Sequence, residues 1–589
     1  VAEGGGAGSP AETPTDGASD RLRDWPLRLA VVAALAVAIF YSIMQQQAGP
    51  LLWPDAVGYV SGAQALVKRG VYSLSTMQFT PELLDAPSEI NPVPWWPPGY
   101  SAAIALVSGL QADDPVRMVL ATHALNLAGQ LLAGLGFGVL ASLTSGRRIA
   151  APVVAGLYLL SGPVIYEAPR VLSEHLFMAL VAWALVAHVK VVEAPHWRYV
   201  AVASVFWSAA VLTRYTGAPL AALAGMAGAV TLWQSEDRWR RIAGALVPSA
   251  AAWLTLAAWL GRNHFIAGRL TQHYAEAGHP ASFKALELLY AFTLGLSGIP
   301  TDPNIISGPD LLIAFLGGFF LIFTLVAAGL EGLRLPAPTR TLAWRWLRLL
   351  CLVGIPLLLA SLLLASLRGR LNTFWGRMMM PLEALTLVFL MGAAIRRQAA
   401  RVPFVALALC VVVGGLTAGV SNLMLPSGRH RLAEFASIAG SPAMREAVRG
   451  RRVLIAGDSC IPVAVLSVPA AVFLPEAEAV YWLDNPGYTG LVLGPGSLQD
   501  LMAQCRIEFL LRGPDEYLTS YQEGGIGPEA LRRKLHAQLV ELEREELEAS
   551  EDWKVCLPLH TRPVSRAGMW SLEEIVAVPA PTSSTHSER

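Results

Sequence analysis

Charge is what this sequence has least of. Only 15% of its 589 residues are charged, and 44 Lys and Arg balance 44 Asp and Glu to a formal net charge of zero. A balanced chain exerts no long-range pull on a polyanion, so nucleic acid is not an expected partner. Cysteine is also scarce, and five residues make no disulfide framework. Cys351 and Cys410 fall inside apolar runs and read as small core residues. Cys460, Cys505 and Cys556 fall in the polar C-terminal third, where an oxidising compartment would allow one pair, with the pairing left open. No internal repeat is visible, and no glycine-rich loop that could cradle a phosphate; Gly4-Gly5-Gly6 lies in a polar tail.

Apolar residues are what the chain has instead. They make up 54% of it, and the mean hydropathy is +0.47. Recurring runs of about 20 apolar residues mark a polytopic α-helical membrane protein. Residues 1–24, rich in Gly, Ala, Pro, Ser and Thr, have nothing to bury and read as a disordered cytoplasmic tail. About eleven transmembrane helices follow, near 27–47, 115–142, 149–166, 174–193, 199–213, 216–233, 242–260, 309–333, 349–366, 378–395 and 402–425. Basic residues cluster in every second connection: Arg147 and Arg148; Lys190 and Arg198; Arg238, Arg240 and Arg241; Arg334, Arg340, Arg345 and Arg348; and Arg396, Arg397 and Arg401. The positive-inside rule then puts the N-terminus in the cytoplasm and residues 426–589 outside a bacterial inner membrane. The apolar runs Arg452–Asp458 and Arg506–Leu511 and the leucine stripe of 529–548 make that last part a small α/β domain.

The outward side carries the unusual residues. A long first loop, 48–114, opens on Trp53-Pro54-Asp55 and a helical pattern through Tyr59, so Asp55 and Tyr59 share a face one turn apart. Further along stand Trp95-Trp96-Pro97-Pro98-Gly99-Tyr100 and an apolar run, Ser101–Leu110, too short to cross a bilayer and suited to its interface. Arg170, Arg214, Arg262, Arg269, Arg368, Arg370 and Arg377 lie at outer span ends, where the orientation rule gives no reason for them. Each alone reads as an anchor to lipid phosphates; together, on the side of Asp55, they read as a site for an anion. Asp55 has a plain alternative as a helix N-cap, and Glu174 as an acid favoured at a helix start. His175 and His264 read as satisfied interface residues, or with Asp55 and Glu174 as ligands of a divalent cation, although the spacing is no metal motif.

In order and placement these residues resemble the GT-C superfamily of polyprenyl-phosphate-sugar-dependent glycosyltransferases, which includes protein O-mannosyltransferases and lipid A aminoarabinose transferases. The resemblance rests on Pro54-Asp55-Ala56 with Tyr59, Trp96–Tyr100, Ser173-Glu174, Arg214–Gly217, Arg262-Asn263-His264, and Gly376-Arg377 with Pro381, over residues 27–425. No peptide-acceptor motif of the oligosaccharyltransferases can be matched. The resemblance implies that the acid after the first span, here Asp55, acts at the catalytic centre, and that Glu174 is a second acid.

The chemistry so implied is economical. A prenyl phosphate is already a good leaving group, so the reaction needs one base for the acceptor hydroxyl and cations for the departing phosphate. Asp55 is the expected base; Arg262 and Arg377, with Arg214 and Arg370, are the expected phosphate ligands, and Tyr59, Arg170, His175 and His264 complete the expected substrate-binding set. Direct attack would invert the anomeric carbon. The expected partners are a polyprenyl-phosphate-sugar donor, an extracytoplasmic lipid, glycan or protein acceptor, and the bilayer. A transporter or a non-catalytic lipid-binding scaffold is the competing reading, although the charges crowd one face and not the bilayer midplane.

Overall fold

Among the described residues of the computed structural model, six helices are long and apolar enough to cross a membrane: Leu29–Gln46, Pro115–Ser145, Glu174–Glu193, Arg238–Ile266, Leu342–Leu367 and Arg377–Arg396. Ala150–Leu159, Trp197–Thr213, Gly217–Leu232 and Phe404–Val420 are apolar but shorter. The structure describes 25–79 and 91–270 save for a few positions, 281–297, 341–367, 376–457 save for two short gaps, and, of 461–577, only 461–462, 473–483, 506–513, 554–555 and 560–577, less single positions. The tail 1–24, the expected span 309–333, Arg368, Arg370, Cys460, Cys505, Cys556 and the expected helix 529–548 lie outside the described residues.

The helices, in chain order, are α1 (Trp25–Gln46), α2 (Pro54–Arg69), α3 (Gly99–Val107), α4 (Pro115–Ser145), α5 (Ala150–Leu159), α6 (Gly162–Glu167), α7 (Glu174–Glu193), α8 (Trp197–Thr213) and α9 (Gly217–Leu232). They continue with α10 (Arg238–Ala267), α11 (Ala281–Ser297), α12 (Leu342–Leu349), α13 (Ile355–Leu367), α14 (Gly376–Arg396), α15 (Arg401–Met424), α16 (Gly428–Ala439) and α17 (Pro442–Ala447). Helices α7 and α14 are the most enclosed of the long apolar helices, and α1 is mostly exposed. Around the enclosed pair the aromatic residues interlock: Trp344 stacks on Phe389 at 5.4 Å and Trp346 on His188 at 5.7 Å. The Trp346 indole N–H is satisfied inside this apolar core by the Ala224 carbonyl at 2.9 Å.

Three expected elements differ from their sequence outlines. The run 149–166 is two helices, broken at Ser161 and restarted with Pro163 in the first turn of α6, where a missing N–H costs nothing. The run 349–366 starts earlier, at Leu342, and passes through a π-helical turn over Leu350–Gly354 just before Pro356. A proline cannot donate to the turn before it, so the wider turn relaxes the ladder at that point. Finally, the expected outer connection 261–308 contains α11, which packs on α13, α14 and α15. Its hydropathy is broken by Lys284 and Glu287, which form a buried pair at 2.9 Å and thereby neutralise each other.

The C-terminal part is a six-stranded sheet with a contribution from the first loop. Its strands are β1 (Thr76–Phe79), β2 (Arg452–Gly457), β3 (Ala479–Leu483), β4 (Phe509–Gly513), β5 (His560–Ala567) and β6 (Trp570–Ala577), in the order β1-β3-β2-β4-β6-β5. The pairs β1·β3, β3·β2 and β2·β4 are parallel; β6 runs antiparallel to both β4 and β5. Strand β1 belongs to the loop after α1 and pairs Thr76 with Val480 through Phe79 with Leu483. One apolar cluster joins Ala56, Tyr59 and Val60 of α2 and Tyr100 and Ile104 of α3 to Phe435 of α16 and to Val453, Leu511 and Leu572 of the sheet. Lys68, at the end of α2, fastens the same joint by donating to the Pro475 carbonyl at 3.1 Å and pairing with Asp113 at 2.9 Å. Loop and sheet are therefore one packed unit.

That unit meets the helices at Gly99. A Cβ there would lie 2.5 Å from the Leu212 carbonyl oxygen, backbone that cannot turn aside, so the glycine permits α3 to cross close over α8. Gly99→Val is expected to lower stability by about 1–3 kcal/mol, the range for overpacking. A fall in the thermal midpoint of the detergent-solubilised protein would show it; an unchanged midpoint would mean that the two helices can part freely.

Candidate active site

Pro54 takes the first position of α2, where its fixed φ suits the turn, and this places Asp55 inside the helix and not before it. The plain N-cap reading of Asp55 is thereby corrected: Asp55 is the acid of a first turn. Its carboxylate turns instead to a residue 322 positions away, and the Arg377 Nη2 lies 3.0 Å from Asp55 Oδ2. Arg377 is the second residue of α14, and its Nε lies 3.6 Å from Glu174 Oε1 at the start of α7. Glu174 is met from its other side by Arg214 Nη1 at 2.6 Å. Arg214 caps the end of α8 in an extended conformation and also donates to Ser173 Oγ at 3.1 Å. Ser173 closes the circuit, since its hydroxyl lies 3.0 Å from the Tyr59 hydroxyl, one turn along α2 from Asp55.

Four helices thus meet through a ring of alternating charges and hydroxyls. The ring has an inside and an outside. The Glu174 side chain is 2% exposed and Arg377 13%, whereas Asp55 is 26% exposed. Glu174 is a structural anion, because a buried carboxylate left unpaired would cost several kcal/mol. Asp55 is the one acid of the ring with access to an incoming group. Tyr59 cannot share proton-accepting work: burial first, and then the Asp55 charge, push its phenol far above the ordinary range, so it remains a neutral hydroxyl. Its ring is set by Tyr100, edge-on at 5.0 Å, and by Trp96 at 5.5 Å, which explains the aromatic residues of the Trp96–Tyr100 stretch.

The other expected residues are placed elsewhere. Arg170 is 2% exposed and lies beneath the ring, its guanidinium 3.5 Å from the centre of the Tyr166 ring, donating to the Tyr166 carbonyl and to Asn422 Oδ1 at 3.4 Å. Arg262 stacks over Trp259 at 4.8 Å and donates to the Tyr72 carbonyl at 2.9 Å and to Asn263 Oδ1 at 3.1 Å. These partners belong to the first loop and to its own helix, and neither is an acid of the ring. His175 is fully buried in the first turn of α7, where the α4 backbone approaches it at Gly129. His264 is exposed, its ring 6.0 Å from that of Phe265. Among the described residues no three His, Cys, Asp or Glu side chains are grouped so as to hold a metal ion, and the two ring acids face guanidiniums.

Two further residues belong to the site. Glu167, the last residue of α6, is 6% exposed, and its backbone carbonyl accepts from the Arg170 N–H at 3.1 Å. It ends an apolar run just as Asp55 follows one, which was the signal available for it. Asn422 of α15 donates to the Ile165 carbonyl at 2.7 Å and receives Arg170, and nothing in its apolar surroundings marked it in advance.

No family model matches the sequence, and neither does any curated protein. Among solved structures, the chain is similar to the oligosaccharyltransferase AglB of Archaeoglobus fulgidus, in complex with an inhibitory peptide and a dolichol-phosphate. There the TM-score is 0.46 at 12% identity, over 83% of this chain and 70% of that one. It is also similar to ArnT of Cupriavidus metallidurans bound to undecaprenyl phosphate, with a TM-score of 0.43 at 15% identity over 94% of this chain and 99% of that one.

Proposed function

We propose that the chain is an inverting glycosyltransferase of the membrane, moving a sugar from a polyprenyl-phosphate donor to an extracytoplasmic acceptor in a bacterial cell envelope. The N-terminus is cytoplasmic in this reading, and the ring and the sheet face outward, as the arginine-rich connections require. The observation that carries the proposal is the pair Asp55–Arg377: a partly open carboxylate, 3.0 Å from a guanidinium that a buried acid also holds. A base and an anion site side by side are what transfer from a phosphate needs.

The donor phosphate takes Arg377, with Arg214 behind it, and Asp55 is released toward the acceptor hydroxyl. Asp55 removes the hydroxyl proton as the oxygen attacks the anomeric carbon. The bond from that carbon to the phosphate oxygen breaks, and its electron pair leaves with the phosphate into the guanidiniums. Glu174 is locked to Arg214 at 2.6 Å and is not open to act as a covalent nucleophile, which favours one displacement and inversion. Arg262 stays outside this step, tying the first loop to α10 through the Tyr72 carbonyl.

The direct test is differential stabilisation. Undecaprenyl phosphate is expected to raise the thermal midpoint of the purified full chain in a saturable way, while undecaprenol, lacking the phosphate, leaves it unchanged. Equal responses to both lipids would remove the anion site from the proposal.

A further inference from the structure

Trp96 of the first loop touches the charged ring without entering the transfer step. Its indole lies 5.5 Å from the Tyr59 ring, one turn along α2 from Asp55. A Cβ at Gly58 would lie 2.5 Å from Trp96 Cζ3, so the indole rests directly against α2. Glycine weakens a helix interior, and here it makes room for the ring. Trp96 also packs with Tyr72, which stands edge-on to Trp259 at 5.7 Å. Trp259 is held in turn by its N–H bond to the Tyr215 hydroxyl at 3.2 Å and by the Arg262 guanidinium at 4.8 Å. Pro97 and Pro98 follow Trp96 and lead straight into α3, which stiffens the backbone that carries the indole. Access differs along this aromatic wall. Tyr59 and Tyr72 are buried, whereas Trp96 and Trp259 are half-buried. Along these contacts Trp96 is therefore the half-open ring nearest Asp55. Anchoring to the bilayer interface is the plain alternative for a tryptophan, but the anchors of this chain look different. Trp197, Trp233 and Trp239 are each more than half exposed and stand beside Arg198 or Arg238 at the arginine-rich connections.

We propose that Trp96 is the platform on which the transferred sugar lies, and so a specificity-determining residue. The inference rests on the reading of Asp55 as base and Arg377 as phosphate ligand. With the donor phosphate on Arg377 and the acceptor hydroxyl at Asp55, the anomeric carbon lies between them. The sugar ring then extends to one side of that line, and along α2 that side is occupied by Trp96. A pyranose presents a face of C–H groups edged by hydroxyls. That face packs on an aromatic ring, while the hydroxyls keep water or polar partners at its rim. An unbroken C–H face lies flat on the indole, and an axial hydroxyl on the same face lifts the sugar away. Trp96 takes no part in proton or bond transfer. The wall behind it, from Tyr72 to Trp259, keeps it from yielding.

The test compares one lipid with and without its sugar, on the full chain in detergent. Synthetic undecaprenyl phosphates carrying mannose, glucose or N-acetylglucosamine are titrated beside undecaprenyl phosphate itself. At least one sugar is expected to tighten binding about tenfold, the size of one good aromatic contact. Trp96→Leu should remove that gain and leave the affinity for bare undecaprenyl phosphate within about twofold of the parent. Trp96→Phe, which keeps a ring, should retain most of the gain. A parallel loss of affinity for the bare and the sugar-bearing lipid would make Trp96 a mere support of Tyr59 and overturn the proposal. So would a gain that Trp96→Leu leaves intact. Should Trp96→Leu fail to fold, Trp96→Met must show the same split, and the parent alone remains decisive, since no sugar-dependent gain there ends the proposal. Absence of any saturable binding of undecaprenyl phosphate would instead defeat the phosphate site; saturable binding without a sugar-dependent gain defeats only the platform.

Discussion

Asp55→Asn is expected to reduce sugar transfer by about 10³-fold or more, within the contribution of a positioned general base and the loss of its charge. Asparagine preserves the size of the side chain and can still accept a hydrogen bond from Arg377 through its amide oxygen, but it cannot take a proton. The structural cost should be small. Asp55 is 26% exposed, and the Glu174–Arg214 half of the ring does not depend on it. A partly solvated ion pair of this kind contributes no more than about 1 kcal/mol. The measurement pairs initial rates of undecaprenyl phosphate release with the thermal midpoint and with undecaprenyl phosphate binding. Inactive, folded protein that still binds the lipid is the expected result. Full turnover would reject Asp55 as the base, and loss of lipid binding would make it a binding residue.

Arg377→Ala should have the second largest effect, and in two quantities at once. It removes the one group shared between Asp55 and Glu174, and with it the nearest cation for the leaving phosphate. Loss of such a preorganised donor costs about 10²–10³ in rate. Stability should also fall, though by less than the ~3–5 kcal/mol of an orphaned buried charge, because Arg214 keeps hold of Glu174 at 2.6 Å. Arg377→Lys should restore stability better than rate. A lysine is a point charge and cannot present separate N–H groups to two carboxylates. Rates and lipid affinity of Arg377→Ala equal to the parent would end its assignment as phosphate ligand.

Much of this site was legible in linear form. Asp55 and Tyr59 stood out because an acid and an aromatic one turn apart follow an apolar run, and Glu174, Arg214 and Arg377 because each charge sits where apolar helices end. The same rule named Arg170 and Arg262 on equal terms, yet one lies buried beneath the ring and the other ties the first loop to α10. A span end confines a side chain to a depth in the membrane, and says nothing of its direction around the helix axis. Glu167 was passed over because it closes a run already assigned as a span. Helix α11 was hidden by Lys284 and Glu287, whose mutual pairing no hydropathy window can see.

What the sequence alone determined is the material and its spacing: long apolar helices, acids and arginines at their ends, strands in the last third. Hydrophobic length and side-chain period are local quantities, and a chain displays them without folding. Partnership is not local. Only the tertiary structure decided that Arg377 faces both Asp55 and Glu174, that Thr76–Phe79 forms an edge of a sheet built some 400 residues later, and that the loop and the sheet share one core. The physical reason is that a buried charge must find its opposite wherever packing brings the two helices together. Sequence separation carries no information about that meeting.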